Sequence, residues 1–166
     1  NWAKAYITAL TEAGIVSGFP DGTFRPLKDI SRAEMIEMLI RSINLGDKMD
    51  SLTQPEPSFI DVDQDHWAFR SIEIADTLGV LPVHFGIIFE PEIPTTRAET
   101  AYIIKSLIDL RIHEGKLAKV DSQQGTLTIT TSGGIDRQVT MAFDTAIYRN
   151  NVEADLNRLL RGDEIY

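Results

Sequence analysis

The sequence contains no cysteine, only three histidines, and fewer basic than acidic residues. Without cysteine there can be neither disulfides nor thiolate metal sites. No apolar run approaches the roughly 20 residues that a membrane-spanning helix requires, so we expect no membrane insertion. The formal net charge of -9 disfavours nucleic acid and anionic membrane surfaces as bulk partners, because both are negatively charged. An anionic ligand would therefore need a local basic feature.

What is present is ordinary globular composition and an internal repeat. Hydrophobic residues make up 43% of the chain and charged residues 25%, which argues against disorder. A shift of 65 positions aligns the first two thirds of the chain with itself. It places Trp2 on Trp67, Ala3 on Ala68, Ile7 on Ile72, Gly14 on Gly79, Phe24 on Phe89, Pro26 on Pro91, and residues 31–34 on residues 96–99.

Each copy of the repeat predicts a helix, a loop and a second helix. The spacing of the apolar residues is helical in four segments. These apolar sets are Trp2, Tyr6, Leu10 and Ala13; Met35, Leu39, Ile40 and Ile43; Trp67, Ile72, Ala75 and Leu78; and Ile103, Ile104, Leu107 and Ile108. Gly14 and Gly79 are placed to end the first helix of each copy, and Asp65 to begin one. We expect the two copies to pack on one another, because a two-helix unit cannot bury both its apolar faces alone.

The second helix of each copy begins with the motif Ser/Thr-Arg-Ala-Glu. Ser31 with Glu34, and Thr96 with Glu99, form the pattern of a capping box. The arginine between them is unexpected, because a cation in the first turn opposes the helix dipole. Two interpretations remain open: an arginine paired with a nearby carboxylate, or an arginine that binds an anionic ligand. Its repetition in both copies favours the ligand.

These motifs resemble the S-layer homology (SLH) repeat. The resemblance rests on the Trp-Ala opening, the Gly-Ile or Gly-Val after the first helix, the PDGTF loop and the S/T-R-A-E start, and it extends from Asn1 to about Leu110. It implies non-covalent anchoring of an exported protein to the bacterial cell wall. The implied partner is a peptidoglycan-linked polysaccharide bearing acidic pyruvate ketals. The implied fold is part of a three-pronged spindle of three repeats, with sugar sites in the grooves between neighbours.

Carried over from the family by position, six residues are candidate glycan-binding residues: Arg32, Arg97, Trp2, Trp67, Asp21 and Gly22. The two arginines match the family's anion-binding arginine. The two tryptophans match its helix-opening tryptophan, although a large ring at a repeated helical position usually packs inward. Asp21 and Gly22 match the loop turn. The second copy departs here, because residues 85–89 contain no Asp-Gly turn.

After about Glu114 the apolar residues alternate with a period of two, which predicts β-strands. Strands are expected in segments 115–121, 125–131, 137–143, 145–150 and 162–166, with a helical turn at 156–160. Five short strands predict a small all-β barrel of SH3-like or OB-like type. Its arginines are scattered rather than gathered on a basic and aromatic face, so a nucleic-acid site is not expected. The preferred interpretation of this segment is a spacer or interaction module.

No catalytic or metal constellation is evident. Asp61, Asp63 and Asp65 resemble the start of an EF-hand loop, but the positions that need Gly and Glu hold His66 and Ile72. The histidines lack paired-ligand spacing, and no nucleophile motif is present. We therefore expect no cofactor, no metal and no enzymatic activity.

The sequence thus predicts an α+β, multi-domain chain. The expected boundaries are 1–46 for the first copy, 47–56 for a linker, 57–112 for the divergent second copy and 113–166 for the β module. The preferred function is cell-wall anchoring through an acidic polysaccharide. The alternative is a degenerate scaffold for protein–protein assembly, with the arginines used in internal ion pairs. A wall hydrolase is a third, weaker hypothesis. Self-association could complete the helical core.

Overall fold

The structure, a computed structural model, describes residues 2–43, 57–110, 113–142, 145–149 and 152–165. It is an α+β protein with two compact units. One unit contains both copies of the repeat and the other contains the strands. The predicted linker at 47–56 lies entirely outside the described residues. The domain boundaries therefore stay a prediction.

Each copy of the repeat forms a helix, a loop and a second helix, as the sequence predicts. The first copy contains α1 (Lys4–Glu12) and α2 (Arg32–Ser42). The second contains α3 (Phe69–Thr77), a short 3₁₀ helix (Val83–Phe85) and α4 (Arg97–Asp109). No helix in the described part of the chain is both long and apolar enough to cross a membrane.

The core of the helical unit lies where the two copies meet. Helix α2 of the first copy packs against α3 of the second. The largest fully buried apolar side chains of this unit are Met35, Ile36, Ile72, Ile74, Phe89 and Ile103. Phe89 also contacts the rings of Phe59 and Phe85, at centroid distances of 5.3 Å and 5.5 Å. The prediction that the copies pack on one another is confirmed.

Several predicted core positions are exposed. No residue of α1 is buried, and Trp2, Tyr6 and Leu10 are all solvent-exposed. In α4 only Glu99 and Ile103 are buried, whereas Ile104 and Ile108 face solvent. The prediction that these apolar stripes lie inside is therefore correct for Ile103 and wrong for Trp2, Tyr6, Leu10, Ile104 and Ile108.

The start of α3 also differs from the expectation. Asp65 does not cap it, because the N-cap residue is Ala68 and makes no side-chain capping bond. The backbone amide of Ala68 is instead 3.2 Å from Nδ1 of His66. The chain enters α3 through a turn in which the amide of His66 donates to the Asp63 carbonyl. Because of this turn the N-cap lies three residues after Asp65, so Asp65 does not occupy the capping position.

The described residues of the second unit form an antiparallel sheet of six short strands. They are β1 (Gly115–Asp121), β2 (Thr126–Thr130), β3 (Asp136–Thr140), β4 (Tyr148–Arg149), β5 (Val152–Glu153) and β6 (Glu164–Ile165). A 3₁₀ turn (Leu156–Arg158) lies where the sequence predicts a helical turn. The sequence pattern predicts five strands, and β5 is not among them.

The order of the strands is β3-β2-β1-β6-β4-β5, so β3 and β5 form the two edges. Leu117 lies opposite Ile129 and Val120 opposite Leu127, which places apolar side chains on one face. With Ile147, Leu159 and Ile165 they form the core of this unit. The two edge strands do not pair among the described residues, so the closed SH3-like or OB-like barrel is not confirmed.

Candidate functional site

Both Ser/Thr-Arg-Ala-Glu motifs form the capping boxes that the sequence predicts. The amide of Glu34 donates to Oγ of Ser31 at 3.2 Å, and the amide of Ser31 donates to Oε2 of Glu34 at 2.8 Å. The same two bonds join Thr96 and Glu99, at 3.1 Å and 2.7 Å. Each box satisfies amides that the first helical turn leaves without partners, and it fixes where the helix begins.

The arginine inside the first motif is buried, and both of its terminal nitrogens are paired. Arg32 Nη2 lies 2.6 Å from Oε1 of Glu99, and Nη1 lies 3.0 Å from Oε2 of Glu90. Nη1 also donates to the carbonyl of Phe89 at 2.9 Å, and the guanidinium lies 4.3 Å from the centre of the Phe85 ring. Every one of these partners belongs to the second copy. Arg32 therefore joins the two copies, and only 8% of its surface is exposed.

For Arg32, the structure thus shows the paired arginine that the sequence left open as an alternative. Arg32 is therefore not an unpaired cation beside exposed amides. Backbone bonds reinforce the junction, because the Arg32 amide donates to the Ile93 carbonyl and the Thr95 amide to the Ile30 carbonyl, each at 3.0 Å. Direct contact between Arg32 and a glycan stays a prediction.

Glu99 holds this junction through several bonds at once. Its carboxylate binds Arg32, accepts the Thr96 amide and lies 3.4 Å from Nε2 of His84. Burial alone would raise the pKa of Glu99, but the bonds from Thr96, Arg32 and His84 lower it from 4.5 to about 2. Glu99 is therefore ionised at neutral pH, and its charge neutralises the buried guanidinium.

The arginine of the second motif has a different environment. Arg97 begins α4, is exposed to solvent and has no ion-pair partner in the part of the chain that the structure describes. The same motif thus places one arginine inside the molecule and the other at its surface. Arg97 is the candidate cation that remains accessible to a ligand.

The predicted loop turn of the first copy is present. The amide of Gly22 donates to the Phe19 carbonyl at 2.9 Å, and Gly22 has a φ of 80°, which favours glycine. Asp21 accepts bonds from the amide and the hydroxyl of Thr23, at 2.9 Å and 2.6 Å. Its carboxylate also binds Nη2 of Arg25 at 2.6 Å. The carboxylate of Asp21 is therefore engaged in organising its own loop.

Sequence reasoning missed two cations beside this turn. The guanidinium of Arg25 lies 4.2 Å and Nζ of Lys28 lies 4.9 Å from the centre of the Phe19 ring. Cations over an aromatic face are attracted by its quadrupole. The half-buried Phe19 and the exposed Arg25 and Lys28 form a cation–aromatic cluster, which we call the first-loop patch, and both cations are also ion-paired, Arg25 with Asp21 and Lys28 with Glu34. The interleaving of these residues between Phe19 and Lys28 was the signal in the sequence.

Both loops contain a non-glycine residue in the left-handed region, at equivalent positions. Arg25 has a φ of 50° and Glu90 a φ of 55°, and each precedes a proline. Such a conformation costs about 1–3 kcal/mol and persists only where neighbours hold it. In the second copy Asp61 does so, accepting the amides of Phe89 and Glu90 at 2.8 Å and 2.7 Å.

This bonding gives Asp61 a structural role in the loop of the second copy. The described residues contain no group of three or more potential metal ligands. Where the second copy lacks an Asp-Gly turn, Phe85 and Phe89 are buried, whereas residues 86–88 between them are exposed. The second copy therefore has no equivalent of the first-loop patch among its described residues. Its place is taken by an apolar surface, and the guanidinium of Arg32 lies against the Phe85 ring there.

Both candidate tryptophans lie at the surface. Trp2 is 86% exposed and Trp67 is 57% exposed, so the expectation that they pack inward is wrong. The ring of His66 lies 5.6 Å from that of Trp67, and Nε2 of His66 lies 3.3 Å from Oε1 of Glu92. Exposed aromatic rings of this kind offer flat apolar faces on which a sugar ring can lie.

Comparison with known proteins identifies the family. Residues 1–36 match the S-layer homology domain. The chain is 38% identical over 72 residues to cell surface glycoprotein 1 of Acetivibrio thermocellus, covering 43% of this chain and 3% of that protein. It is 36% identical over 72 residues to the cellulosome-anchoring protein of the same organism, covering 43% and 15%.

Longer matches are found with proteins of Bacillus. The chain is 31% identical over 160 residues to S-layer protein EA1 of Bacillus anthracis, covering 88% of this chain and 17% of that protein. An endoglucanase of a Bacillus species is 28% identical over 149 residues, covering 86% and 15%. The chain thus spans less than a fifth of each of these relatives. It is an S-layer homology domain protein of the cell envelope or the extracellular space.

Proposed function

We propose that the chain anchors its parent protein to the bacterial cell wall by binding an acidic, pyruvylated polysaccharide that is linked to peptidoglycan. The observation that carries this proposal is Arg97, an exposed arginine in the first turn of α4 without an ion-pair partner among the described residues. A cation beside the free amides of a helix start is well placed to bind a carboxylate. The S-layer homology match and the surface-anchoring names of the relatives support the general role.

The charge of the chain makes a local cation necessary. With a net charge of -9, the molecule as a whole repels an acidic glycan. Arg97 is a place where the local charge opposes that repulsion. In this proposal Arg97 binds the ketal carboxylate, and Trp2 and Trp67 provide faces for sugar rings. The turn at Asp21 and Gly22 contributes its backbone.

Arg32 has another part in the proposal. Its guanidinium is occupied by Glu99 and Glu90, so it orders the loop and the helix start of the second copy rather than supplying a free charge. Loss of Arg32 would then weaken glycan binding through loss of structure. Arg97, by contrast, would act through contact.

The anchoring role is non-catalytic in this proposal. An endoglucanase is among the relatives, so an S-layer homology segment occurs in a protein that is named as an enzyme. Hydrolysis of a glycan by this chain would need a pair of carboxylates flanking the scissile bond. Glu99 and Asp61 are both engaged in structural bonds. Release of reducing sugar from purified walls would contradict the non-catalytic proposal.

The second candidate function is a scaffold for protein–protein assembly without glycan binding. The observation that favours it is the Arg32–Glu99 ion pair, since an arginine of the family motif serves there as an internal link. In either case we propose that the β unit is a spacer or interaction module. Association of the chain with itself is proposed as well.

Sedimentation with purified cell walls tests the anchoring proposal. We expect the wild-type chain to bind walls that retain their polysaccharide and not walls from which it has been removed. Arg97→Ala should reduce the bound fraction several-fold without changing the circular dichroism spectrum. Arg137→Ala is the matched control, because Arg137 is also exposed and lies on β3 of the other unit. No binding by the wild-type chain would favour the scaffold.

A further inference from the structure

We propose that His66 is a pH-dependent switch at the start of α3. Its neutral imidazole holds the turn before the helix and the side chain of Trp67, and its protonated imidazole releases them. The switch is a feature of the second copy. Under the shift of 65 positions, His66 corresponds to Asn1 and its partner Glu92 corresponds to Leu27, so the first copy has neither residue. The proposal goes beyond wall binding and does not depend on it.

The two ring nitrogens of His66 have different partners. Nδ1 accepts the backbone amide of Ala68 at 3.2 Å, and Nε2 lies 3.3 Å from Oε1 of Glu92. A ring nitrogen accepts a hydrogen bond only while it carries no proton. These bonds therefore assign the proton of the neutral ring to Nε2, which donates it to Glu92. A protonated ring carries a proton on both nitrogens, so it cannot accept the amide of Ala68.

The bond to Ala68 outweighs the contact with Glu92. Ala68 is completely buried, and Nδ1 of His66 is the acceptor of its amide in the described part of the chain. A buried amide that loses its acceptor destabilises the fold, because no water takes the place of that acceptor. The side chain of Glu92 is 73% exposed, and ion pairs with exposed carboxylates contribute little. Protonation of His66 thus loses more at Ala68 than it gains at Glu92.

The imidazole of His66 takes the part of a helix cap for α3. The N-cap residue, Ala68, makes no side-chain capping bond of its own. The amide of His66 donates to the Asp63 carbonyl, and the amide of Phe69 donates to the His66 carbonyl, each at 2.9 Å. The exposed ring of Trp67 lies 5.6 Å from that of His66. When the imidazole turns away from Ala68, Trp67 therefore loses the ring beside it.

The other charged groups near His66 keep their charge in the range where imidazole titrates. Glu92 is the carboxylate within ion-pair distance of His66 among the described residues. Asp63 and Asp65 are exposed on the same turn, and Arg70 follows in α3. Carboxylic acids titrate at about pH 4 and guanidinium groups above about pH 12, whereas imidazole titrates between about pH 5 and 8. A local transition in that range therefore reports His66.

NMR spectroscopy of the full chain, titrated between about pH 8 and pH 5, tests the proposal. At the upper end we expect the nitrogen chemical shifts of His66 to show the proton on Nε2. As His66 gains its second proton, the protection of the Ala68 amide from hydrogen exchange should fall roughly tenfold or more. Trp2→Phe leaves Trp67 as the only tryptophan, and its fluorescence should change with the same midpoint.

His66→Asn is the decisive variant. An asparagine side chain can accept the amide two residues further on, and it does not titrate. In this variant the protection of Ala68 and the fluorescence of Trp67 should stay constant over the same pH range. Glu92→Gln removes the charge beside Nε2, so the transition should persist with its midpoint lower by roughly half a pH unit.

The matched control is His84→Asn, the same residue change at an exposed histidine that contacts Glu99 instead. It should keep the wild-type transition. A proton on Nδ1 of neutral His66 overturns the proposal. So does the absence of a transition in the wild type, or its persistence in His66→Asn.

Wall binding gives a separate result, which rests on the proposed function. If Trp67 contacts the glycan, the bound fraction of the wild type should fall as His66 is protonated, and that of His66→Asn should stay constant. A chain that binds walls at no pH would contradict the proposed function. The NMR and fluorescence results would still decide whether His66 is a switch.

Discussion

At the scale of single residues, one motif produces two arginines with opposite environments. Arg32 and Arg97 follow equivalent capping residues, but only Arg32 is covered by another copy of the repeat. A cation at a helix start opposes the helix dipole, and the carboxylates of Glu99 and Glu90 offset this cost for Arg32. The unusual arginine is thus explained by a junction in the first copy. In the second copy we expect it to be available for binding.

The first prediction concerns the stability of that junction. Arg32→Ala leaves the buried Glu99 without its main counter-charge, so we expect a loss of about 3–5 kcal/mol in the free energy of unfolding. Arg97→Ala should change it by no more than about 0.5 kcal/mol, as is usual for exposed residues. Urea denaturation followed by circular dichroism measures both values. Equal effects of the two substitutions would show that Arg32 is not held as the structure describes.

A second prediction concerns pH. The pKa of Glu99 is lowered from 4.5 to about 2 in the folded state, so its ionised form stabilises folding. This contribution is fully present above about pH 5 and is lost as the pH falls toward about 2, with a total of about 3 kcal/mol. Unfolding measured across this range should show it. Glu99→Gln, which keeps the capping geometry, should remove this part of the pH dependence.

At the scale of elements, the two copies keep their capping boxes although their loops differ. Thr96 and Ser31 each supply an acceptor to an amide of the first helical turn. We expect Thr96→Ala and Ser31→Ala each to cost about 1 kcal/mol in unfolding free energy. Thr96→Ser retains the hydroxyl and should cost much less. If Thr96→Ser costs as much as Thr96→Ala, the hydroxyl bond is not what stabilises α4.

Local features were predictable from the sequence, and burial was not. The capping boxes, the turn at Gly22 and most strands depend on neighbouring residues, and each is where the pattern places it. The periodicity of α1 correctly indicated a helix, but it could not tell whether anything covers its apolar face. For that reason the exposure of Trp2 was not predictable. The pairing of Arg32 with Glu99 depends on residues 67 positions apart, which no local pattern connects.

The position of the candidate site was only partly predictable, for the same reason. The sequence identified the motif arginines, but the structure was needed to show that Arg97 alone of the two is accessible. The first-loop patch was missed, because the left-handed conformation of Arg25 brings its guanidinium over Phe19. That conformation precedes a proline in both copies. In the sequence, the sign of this conformation was the residue–proline pair at equivalent positions of the two copies, Arg25-Pro26 and Glu90-Pro91.

At the scale of the whole molecule, the chain has two compact units with separate cores. Ile129 is buried in the core of the β unit, so Ile129→Ala should cost that unit about 2–5 kcal/mol. Hydrogen exchange resolved by peptide should show faster exchange in β1 and β2 and no change in α2 and α3. Arg32→Ala should give the reverse pattern. Uniform acceleration in both units would indicate that they unfold as one.

The last prediction follows from the charge of the whole chain. A net charge of -9 repels an acidic glycan over long distances, whereas Arg97 attracts it locally. Salt screens both effects, because the screening length falls from about 30 Å at 0.01 M to about 8 Å at 0.15 M. The wild-type affinity alone therefore combines two opposite trends. The difference between the wild type and Arg97→Ala isolates the local one.

We expect that difference in wall binding to shrink as salt increases, until the two affinities converge. The affinity that remains at high salt comes from contacts that salt does not screen, such as sugar rings on Trp2 or Trp67. Binding isotherms on purified walls, measured for both proteins at several salt concentrations, test this expectation. A difference that stays constant with salt would mean that Arg97 contributes by shape or packing. The carboxylate of the glycan would then not be its partner.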